Sequence, residues 1–315
     1  MSHHTIPSLQ AEALYGKSQV YILRGFRALD SGDREEYQLW ASLALELLGK
    51  AALAAVHPAL VADPLHFESL FAACGRTIST DTKTITAKTL FARLTHLGKQ
   101  FDTDHQKFCE QISLRRNAEL HSGESPFSGM APEAWERQFW SAVDCILQIQ
   151  GETLESWLGA EKAKAPQEVV AKAAAARAWE VKDRISRRKT DFENEHKNPA
   201  KLKKARDEAD KLDWWDVRKF FGDDIDCEDF VNCPACGCKA PIAGALWDEE
   251  ILEHEDPDNW QEEKVRSTYV SRAFYCPTCI LNLDGSEEVL AAGLPAEFVR
   301  EELREMEFEP EYGND

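Results

Sequence analysis

The chain has 315 residues, of which 43% are hydrophobic, and it carries a formal net charge of −19 at neutral pH. This length and composition are typical of a globular protein with two modest domains. No apolar run reaches the roughly 18 residues that a membrane span requires, and the first ten residues lack the basic and apolar regions of a secretory signal. We therefore expect a cytoplasmic protein without membrane association.

The negative charge is unevenly distributed along the chain. Residues 1–161 contain 14 Lys and Arg against 20 Asp and Glu, whereas residues 162–206 contain 14 against 6 and residues 221–315 contain 6 against 25. A basic segment thus lies between a nearly balanced region and a very acidic one. The overall acidity therefore does not exclude nucleic acid as a partner.

The first 160 residues have the apolar spacing of helices and no alternation typical of strands. Helices are predicted over 9–30, from Asp33 to about residue 56, over 67–74 and 87–97, from about Asp104 to Gly123, and from Pro132 to about residue 158. The second of these is apolar on nearly every face, which is typical of the central helix of a bundle. The sequence predicts a mainly α protein whose N-terminal domain, residues 1–162, is a helical bundle.

Residues 163–222 are rich in Ala, Lys and Arg, and they predict one long helix from about Pro166 to Glu195 and a second after Pro199. Their apolar residues are too few for a core, so we expect a basic helical connector or a partner-binding arm. Its cations are candidates for contacts with RNA phosphates, in particular Arg184, Arg187, Arg188 and Lys189. A solvated linker helix remains the alternative.

Four cysteines form two Cys-x-x-Cys pairs, Cys233 with Cys236 and Cys276 with Cys279. Tight turns at such pairs present two thiolates each to one tetrahedral zinc ion. Four thiolates leave no open coordination position, so we expect one structural zinc per chain and no metal in catalysis.

The cysteine pairs lie in an acidic segment with short β-prone stretches, which predicts a small α+β zinc ribbon domain over residues 223–315. The 39 residues between the pairs exceed the usual spacing. We interpret the acidic, helix-like residues 246–265 as an extruded insert. The identity of the fourth ligand stays open, because three further side chains are available: Cys227, Cys238 and His254.

A second constellation lies near the end of the helix predicted after Asp104, where Arg116, Asn117 and His121 form an R-N-x-x-x-H motif. Asn117 and His121 are four residues apart and share a helix face, and the long side chain of Arg116 reaches around to that face. Histidine supplies proton transfer near neutral pH and arginine stabilises a phosphorane, which are the needs of metal-free RNA cleavage. The alternative is a helix end with a solvated arginine and a capping histidine.

The motif within an all-helical domain resembles the HEPN superfamily, a helical-bundle fold of ribonuclease toxins, antiphage proteins and CRISPR effectors. The resemblance covers about the first 160 residues. It implies that Arg116 and His121 are catalytic and that Asn117 orients them. It also implies a homodimer with a composite cleft. Glu46 and Lys50 on the preceding core helix correspond loosely to an acidic and a basic residue of the family, or form an ordinary i, i+4 ion pair.

Two functions from different classes follow. The first is a metal-independent endoribonuclease that cleaves RNA by attack of the 2′-hydroxyl, as a toxin or antiphage defence effector, with a neutralising or activating protein as a further partner. The second is a non-catalytic adaptor, in which the helical domain dimerises or binds a small ligand and the acidic ribbon holds a protein partner. An exposed motif paired across a dimer favours the nuclease, and a monomer with a buried His121 favours the adaptor.

Overall fold

The computed structural model describes residues 6–213, 218–221, 225–252 and 262–305. The chain forms two compact units, Met1–Ala175 and Ala176–Asp315, and each has its own hydrophobic core. Helices predominate, and an antiparallel sheet lies in the second unit. The predicted mainly α class therefore holds in outline.

The described part of the first unit is built from helices, with a single isolated β-bridge between Ala62 and Thr84. Short 3-10 turns precede or connect the helices at Pro7–Leu9, Pro58–Leu60 and Pro132–Ala134. The helices are α1 (Ala11–Asp30), α2 (Arg34–Val56), α3 (Phe67–Ala73), α4 (Ala87–Leu94), α5 (Thr103–His121), α6 (Glu136–Ile149), α7 (Leu154–Leu158) and α8 (Ala160–Glu195), the last of which runs into the second unit.

Helix α2 is the central element of this unit and packs against α1, α4, α5 and α6. Its N-terminus is capped by Asp33, whose carboxylate accepts a hydrogen bond from the Glu36 amide at 2.9 Å. Within the described residues, α2 is the one helix long and apolar enough to cross a membrane, yet 61% of its most apolar window is buried inside the protein. Such burial is typical of the core helix of a bundle.

The single long helix predicted after Pro132 is interrupted between α6 and α7. Gly151 adopts a left-handed backbone conformation with φ of 69°, which ends α6 in the manner of a helix C-terminal glycine. Thr153 and Ser156 then form a reciprocal capping box that starts α7. The prediction of one helix here was wrong because the apolar spacing continues across the break.

The second unit contains the C-terminal part of α8, α9 (Pro199–Asp210), a 3-10 turn (Arg218–Phe220), α10 (Gly285–Ala291) and a five-stranded antiparallel sheet. Its strands are β1 (Cys227–Asn232), β2 (Lys239–Ile251), β3 (Glu262–Cys276), β4 (Leu281–Asp284) and β5 (Glu297–Glu305). Strand β3 pairs with β2 along one edge, and with β5 and then β4 along the other. The β1–β2 and β3–β4 turns consequently meet at one end of the sheet.

Two expectations for this region differ from the structure. The described parts of residues 246–265 continue β2 and begin β3 as paired strands, so the helix-like interpretation of the acidic insert was wrong. The expected connector, residues 163–222, is divided between the two units. Its few apolar residues contribute to a core, because Val181, Phe192 and Ala209 are buried in one hydrophobic cluster with the four paired cysteines.

Candidate functional site

Helix α5 is fixed at its N-terminal end by a buried polar network. Asp102 caps the helix by accepting hydrogen bonds from the amides of Asp104 and His105, both at 3.1 Å. The imidazole of His105 lies 2.8 Å from the Asp102 carboxylate through Nδ1 and 3.0 Å from Ser141 Oγ on α6 through Nε2. Burial opposes charging of His105, but the bond to Asp102 and the contact with Cys145 raise its pKa to about 10. This network orients α5 relative to α6.

At the other end of α5, Arg116 projects into the bundle and meets α2. Its Nη1 donates to Glu46, whose second oxygen accepts from Lys50 Nζ at 2.7 Å. The side chains of Arg116 and Glu46 are only 11% and 15% exposed. Burial opposes ionisation of Glu46, but the charges of Lys50 and Arg116 outweigh it and lower the pKa of this carboxyl. Glu46 and Lys50 therefore form an i, i+4 ion pair, one of the two alternatives left open by the sequence, and that pair also binds Arg116.

Thr84 and Asn117 complete this group. We call its five residues the Glu46 cluster: Glu46, Lys50, Thr84, Arg116 and Asn117. Arg116 donates to Asn117 Oδ1 through Nη2 at 2.8 Å and through Nε at 3.2 Å. Lys50 donates to Thr84 Oγ1 at 3.0 Å. Thr84 is not predictable from the sequence, because it lies in a Thr-rich segment and reaches Lys50 only through the fold.

His121 is the last residue of α5 and is exposed. Its imidazole makes no hydrogen bond or ion pair with the part of the chain that the structure describes. Five residues at about 100° each place it roughly 140° around the helix from Arg116, so the two side chains diverge. It lies instead on the same helix face as Leu114 and Asn117, because the three residues occupy positions i, i+3 and i+7.

The apolar residues of α5 are buried in its N-terminal part and exposed around the motif. Phe108, Cys109 and Ile112 are buried, but Leu114 and Leu120 are 68% and 49% exposed. The C-terminal half of α5 thus presents apolar and polar side chains together to solvent. Periodicity alone did not reveal this, because an apolar residue on a helix predicts burial by default.

The Glu46 cluster carries a net positive charge. Two cations share one carboxylate in the Glu46 cluster, so the cluster retains one net positive charge beneath the exposed Asn117. Asn117 has an amide group at this surface, and the imidazole of His121 lies one turn further along the same face. These groups can bind an anion and transfer a proton beside it.

The basic residues proposed to contact RNA fall into two classes. Arg184 is held by Glu288 through two hydrogen bonds of 2.6 and 2.9 Å and donates to the Asn282 carbonyl, so it joins α8 to the ribbon and is not available for phosphate. Arg187 is paired with Asp183 on its own helix at 2.6 Å. Arg188 and Lys189 have no ion-pair partner among the described residues.

The four cysteines of the two pairs converge at the end of the sheet where the two turns meet. All four Sγ atoms lie within 4.8 Å of one another and all four residues are buried. Cys233 Sγ lies 3.5 Å from Cys279 Sγ, and Cys236 Sγ lies 3.6 Å from Cys276 Sγ. A tetrahedron with metal–sulfur bonds of about 2.3 Å has edges of roughly 3.8 Å. The cysteines can therefore hold one metal ion in a zinc-ribbon-like arrangement.

The two turns have the same backbone conformation at the residue after their second cysteine. Gly237, directly after Cys236, has φ of 73° and its amide donates to the Cys233 carbonyl at 2.9 Å. Ile280, directly after Cys279, has φ of 59° and its amide donates to the Cys276 carbonyl at 2.8 Å. Both turns need a left-handed residue at this position, and only the first has glycine there.

The spare ligands considered from the sequence lie outside this group. Cys238 is buried beside it, and its carbonyl accepts from the Cys233 amide at 2.9 Å. Cys227 begins β1, and its thiol contacts the Glu228 carbonyl. His254 lies outside the described residues. Among the described residues, the set that can hold a metal is the four-cysteine cluster.

No protein-family model, curated protein or solved structure matches this chain. A functional assignment therefore depends on the chemistry of the two clusters themselves.

Proposed function

We propose that the protein is a metal-independent endoribonuclease whose active site is the C-terminal end of α5. The observation that carries the proposal is the position of the R-N-x-x-x-H motif. Arg116 holds Asn117 and is anchored to α2 through Glu46, and Asn117 shares an exposed helix face with His121. A positive group beneath a polar side chain that lies one turn from an accessible imidazole can support phosphodiester transfer.

In the proposed reaction, the 2′-hydroxyl of the RNA attacks the adjacent phosphorus, and the bond from phosphorus to the 5′ oxygen breaks. The proton of the 2′-hydroxyl is lost and the 5′ oxygen gains one, so the products are a 2′,3′-cyclic phosphate and a 5′-hydroxyl. His121 transfers the proton. Asn117 donates to a phosphate oxygen, and the net positive charge of the Glu46 cluster stabilises the phosphorane.

We further propose that two copies of the chain pair through this face of α5. Leu114 and Leu120 are exposed apolar residues beside the motif, and such residues are typical of a surface that is covered in an assembly. Pairing brings two His121 side chains to one cleft, so that one removes the 2′ proton and the other protonates the leaving oxygen. The resemblance to the HEPN superfamily supports this composite site and a role in antiphage defence or as a cytoplasmic toxin.

The ribbon has a structural part in this proposal. We propose that the four-cysteine cluster holds zinc, since four buried thiolates suit that ion and leave no position for substrate. Arg188 and Lys189 are the remaining candidates on α8 for contacts with RNA phosphates.

The decisive experiment measures cleavage of single-stranded RNA by the full-length protein in the presence of EDTA. We expect wild type to give cyclic-phosphate ends, and His121→Ala to lose at least 100-fold in rate because proton transfer contributes about 10²–10⁴-fold. His96→Ala is the matched control, since His96 is another exposed histidine of the first unit. Equal cleavage by wild type and His121→Ala contradicts the proposal.

The assembly is tested with Leu114→Asp, which places a charge on the proposed interface. We expect it to be a monomer in sedimentation and to lose cleavage while keeping the helical circular dichroism of wild type. Leu65→Asp is the control, because Leu65 is 94% exposed and lies outside α5. A well-folded wild-type dimer without any cleavage favours the adaptor function instead.

A further inference from the structure

A cluster of aromatic and cationic side chains lies on the exposed side of the α1–α2 pair. The rings of Tyr21 and Trp40 are 5.1 Å apart between centroids. The guanidinium carbon of Arg24 lies 5.0 Å from the centroid of Trp40 and 5.6 Å from that of Tyr21. Two cation–π contacts therefore hold one exposed arginine in a fixed orientation.

The backbone brings these side chains together. A Cβ atom at Gly25 would lie 3.2 Å from the Tyr37 ring and 3.3 Å from Trp40 Cβ, so glycine permits the close approach of α1 to α2 at this point. The Trp40 indole donates through Nε1 to Glu36 at 2.9 Å. The cluster is thus preorganised, and its ring system has little freedom to lose when a ligand binds.

Two arginines against one glutamate, Glu36, give this surface a net positive charge. Arg24 and Arg27 lie one helical turn apart and are both exposed, and within the described parts of the chain neither has a carboxylate partner. The nearby carboxylate of Glu36 is engaged by the indole of Trp40. Two guanidinium groups are therefore available to an anion beside an aromatic ring.

A cavity of about 400 Å³ opens at this place, lined by Arg24, Arg27, Ala28, Ser31, Glu36 and Trp40. Its volume lies within the range of small-ligand sites. A second cavity of about 620 Å³ shares Ser31 with it and extends to Met130. Arg115 Nη1 donates to Met130 Sδ at 2.8 Å, and Arg115 directly precedes Arg116 in α5. The two cavities therefore adjoin at Ser31, and the second one reaches the methionine that Arg115 of α5 contacts.

We propose that the cavity between Arg24, Arg27 and Trp40 binds one unpaired nucleotide of an RNA strand that passes through the α5 site. The base stacks on the Arg24 guanidinium plane supported by Trp40, and Arg27 contacts the phosphate. Unpaired bases stack on both aromatic rings and arginine planes, and this surface offers the two together. The inference rests on the proposed function for its choice of RNA, but it concerns a different set of residues.

The test measures binding of a fluorescent ten-nucleotide 2′-O-methyl RNA, which lacks the attacking hydroxyl and so reports binding without cleavage. The double variant Arg24→Gln, Arg27→Gln removes both cations. We expect binding about tenfold weaker near 0.1 M salt, and a slope of log K against log salt that is about 0.7 smaller, because Arg27 makes one phosphate contact and each such contact on a single strand contributes about 0.7. Trp40→Leu is expected to weaken binding by about fivefold or more through lost stacking.

Two controls separate a binding role from general electrostatics and from folding. Lys88→Gln, Lys107→Gln removes two exposed charges elsewhere on the first unit, and its affinity and salt slope should equal those of wild type. The midpoint temperature of thermal unfolding of each variant should stay within about 2 °C of that of wild type. If Trp40→Leu unfolds, the binding of the double variant Arg24→Gln, Arg27→Gln alone tests the inference.

The outcomes distinguish this inference from the proposed function. No binding by wild type, or an equal loss in both double variants, overturns the inference. Binding that depends on Arg24 and Arg27, together with no cleavage of ordinary RNA, supports the inference and refutes the nuclease. Cleavage that depends on His121, with unchanged binding in the Arg24 and Arg27 variant, supports the nuclease and refutes the inference.

Discussion

The four-cysteine cluster and the Glu46 cluster both hold ionisable groups among buried residues, but they compensate charge in opposite ways. Four thiolates at 3.5–3.6 Å in pairs repel one another unless a cation lies between them. The Glu46 cluster contains its own counterions, because Lys50 and Arg116 share one carboxylate. The second unit should therefore depend on metal for its folding, whereas the first should depend on pH and on the integrity of an internal ion pair.

The largest expected effect comes from breaking the cysteine cluster with Cys276→Ser. Zinc binding at such sites contributes on the order of 10 kcal/mol to folding at neutral pH, so we expect loss of the bound metal and unfolding of the second unit. Metal content by mass spectrometry and a two-step thermal unfolding curve measure this. Cys74→Ser, at an exposed cysteine of the first unit, should retain one metal per chain. A fully folded, metal-free Cys276→Ser protein would contradict the structural role.

A smaller effect is expected from Glu46→Gln in the first unit. Removing the carboxylate leaves Lys50 and Arg116 facing each other without a counterion, which should cost about 3 kcal/mol at pH 7. Urea unfolding of the first unit measures the difference. Glu161→Gln, at an exposed carboxylate paired with Lys164, should change the free energy of unfolding by less than about 0.5 kcal/mol.

A comparison of wild type with Glu46→Gln at several pH values also tests the Glu46 cluster. The pKa of Glu46 is lowered in the folded state, so its stabilisation is fully present above the unfolded-state value and declines as the pH falls through the folded value. The difference in the free energy of unfolding between wild type and Glu46→Gln should therefore shrink below about pH 4.3. A difference that stays constant from pH 7 to pH 3 would show that Glu46 stabilises the protein by packing and not by charge.

The smallest effect is expected at the second cysteine turn, where Ile280 has a left-handed backbone and a side chain that is 56% exposed. Ile280→Gly removes the steric cost of this conformation, so we expect the metal-bound second unit to gain about 1 kcal/mol in stability. The gain is measured by thermal unfolding at fixed zinc concentration. Gly237→Ala, which imposes the same conformation on a residue with a side chain, should lower the stability by a similar amount.

The elements of the first unit were predictable because their signals are local. Asp33 caps α2, the apolar residues of α2 cover every face, and Gly123 follows the end of α5. Less local features were predicted poorly. The break at Gly151 lies inside a continuous apolar pattern, and the strands of residues 246–251 and 262–265 have an acidic composition that favours a helix or loop until pairing between β2 and β3 overrides it.

The sequence by itself identified the four candidate ligands, because each Cys-x-x-Cys turn places two cysteines within four residues and thiolates suit zinc. The structure brought these four together and left Cys227 and Cys238 outside the group. The sequence also identified Arg116, Asn117 and His121 as neighbours on one helix. Only the tertiary structure decided that Arg116 turns inward to Glu46 while His121 stays exposed, and that Thr84 joins the cluster. It also removed Arg184 from the candidate phosphate contacts by pairing it with Glu288. The physical reason is that an ion pair between residues 70 positions apart depends on how helices pack, and helical periodicity carries no information about that partner.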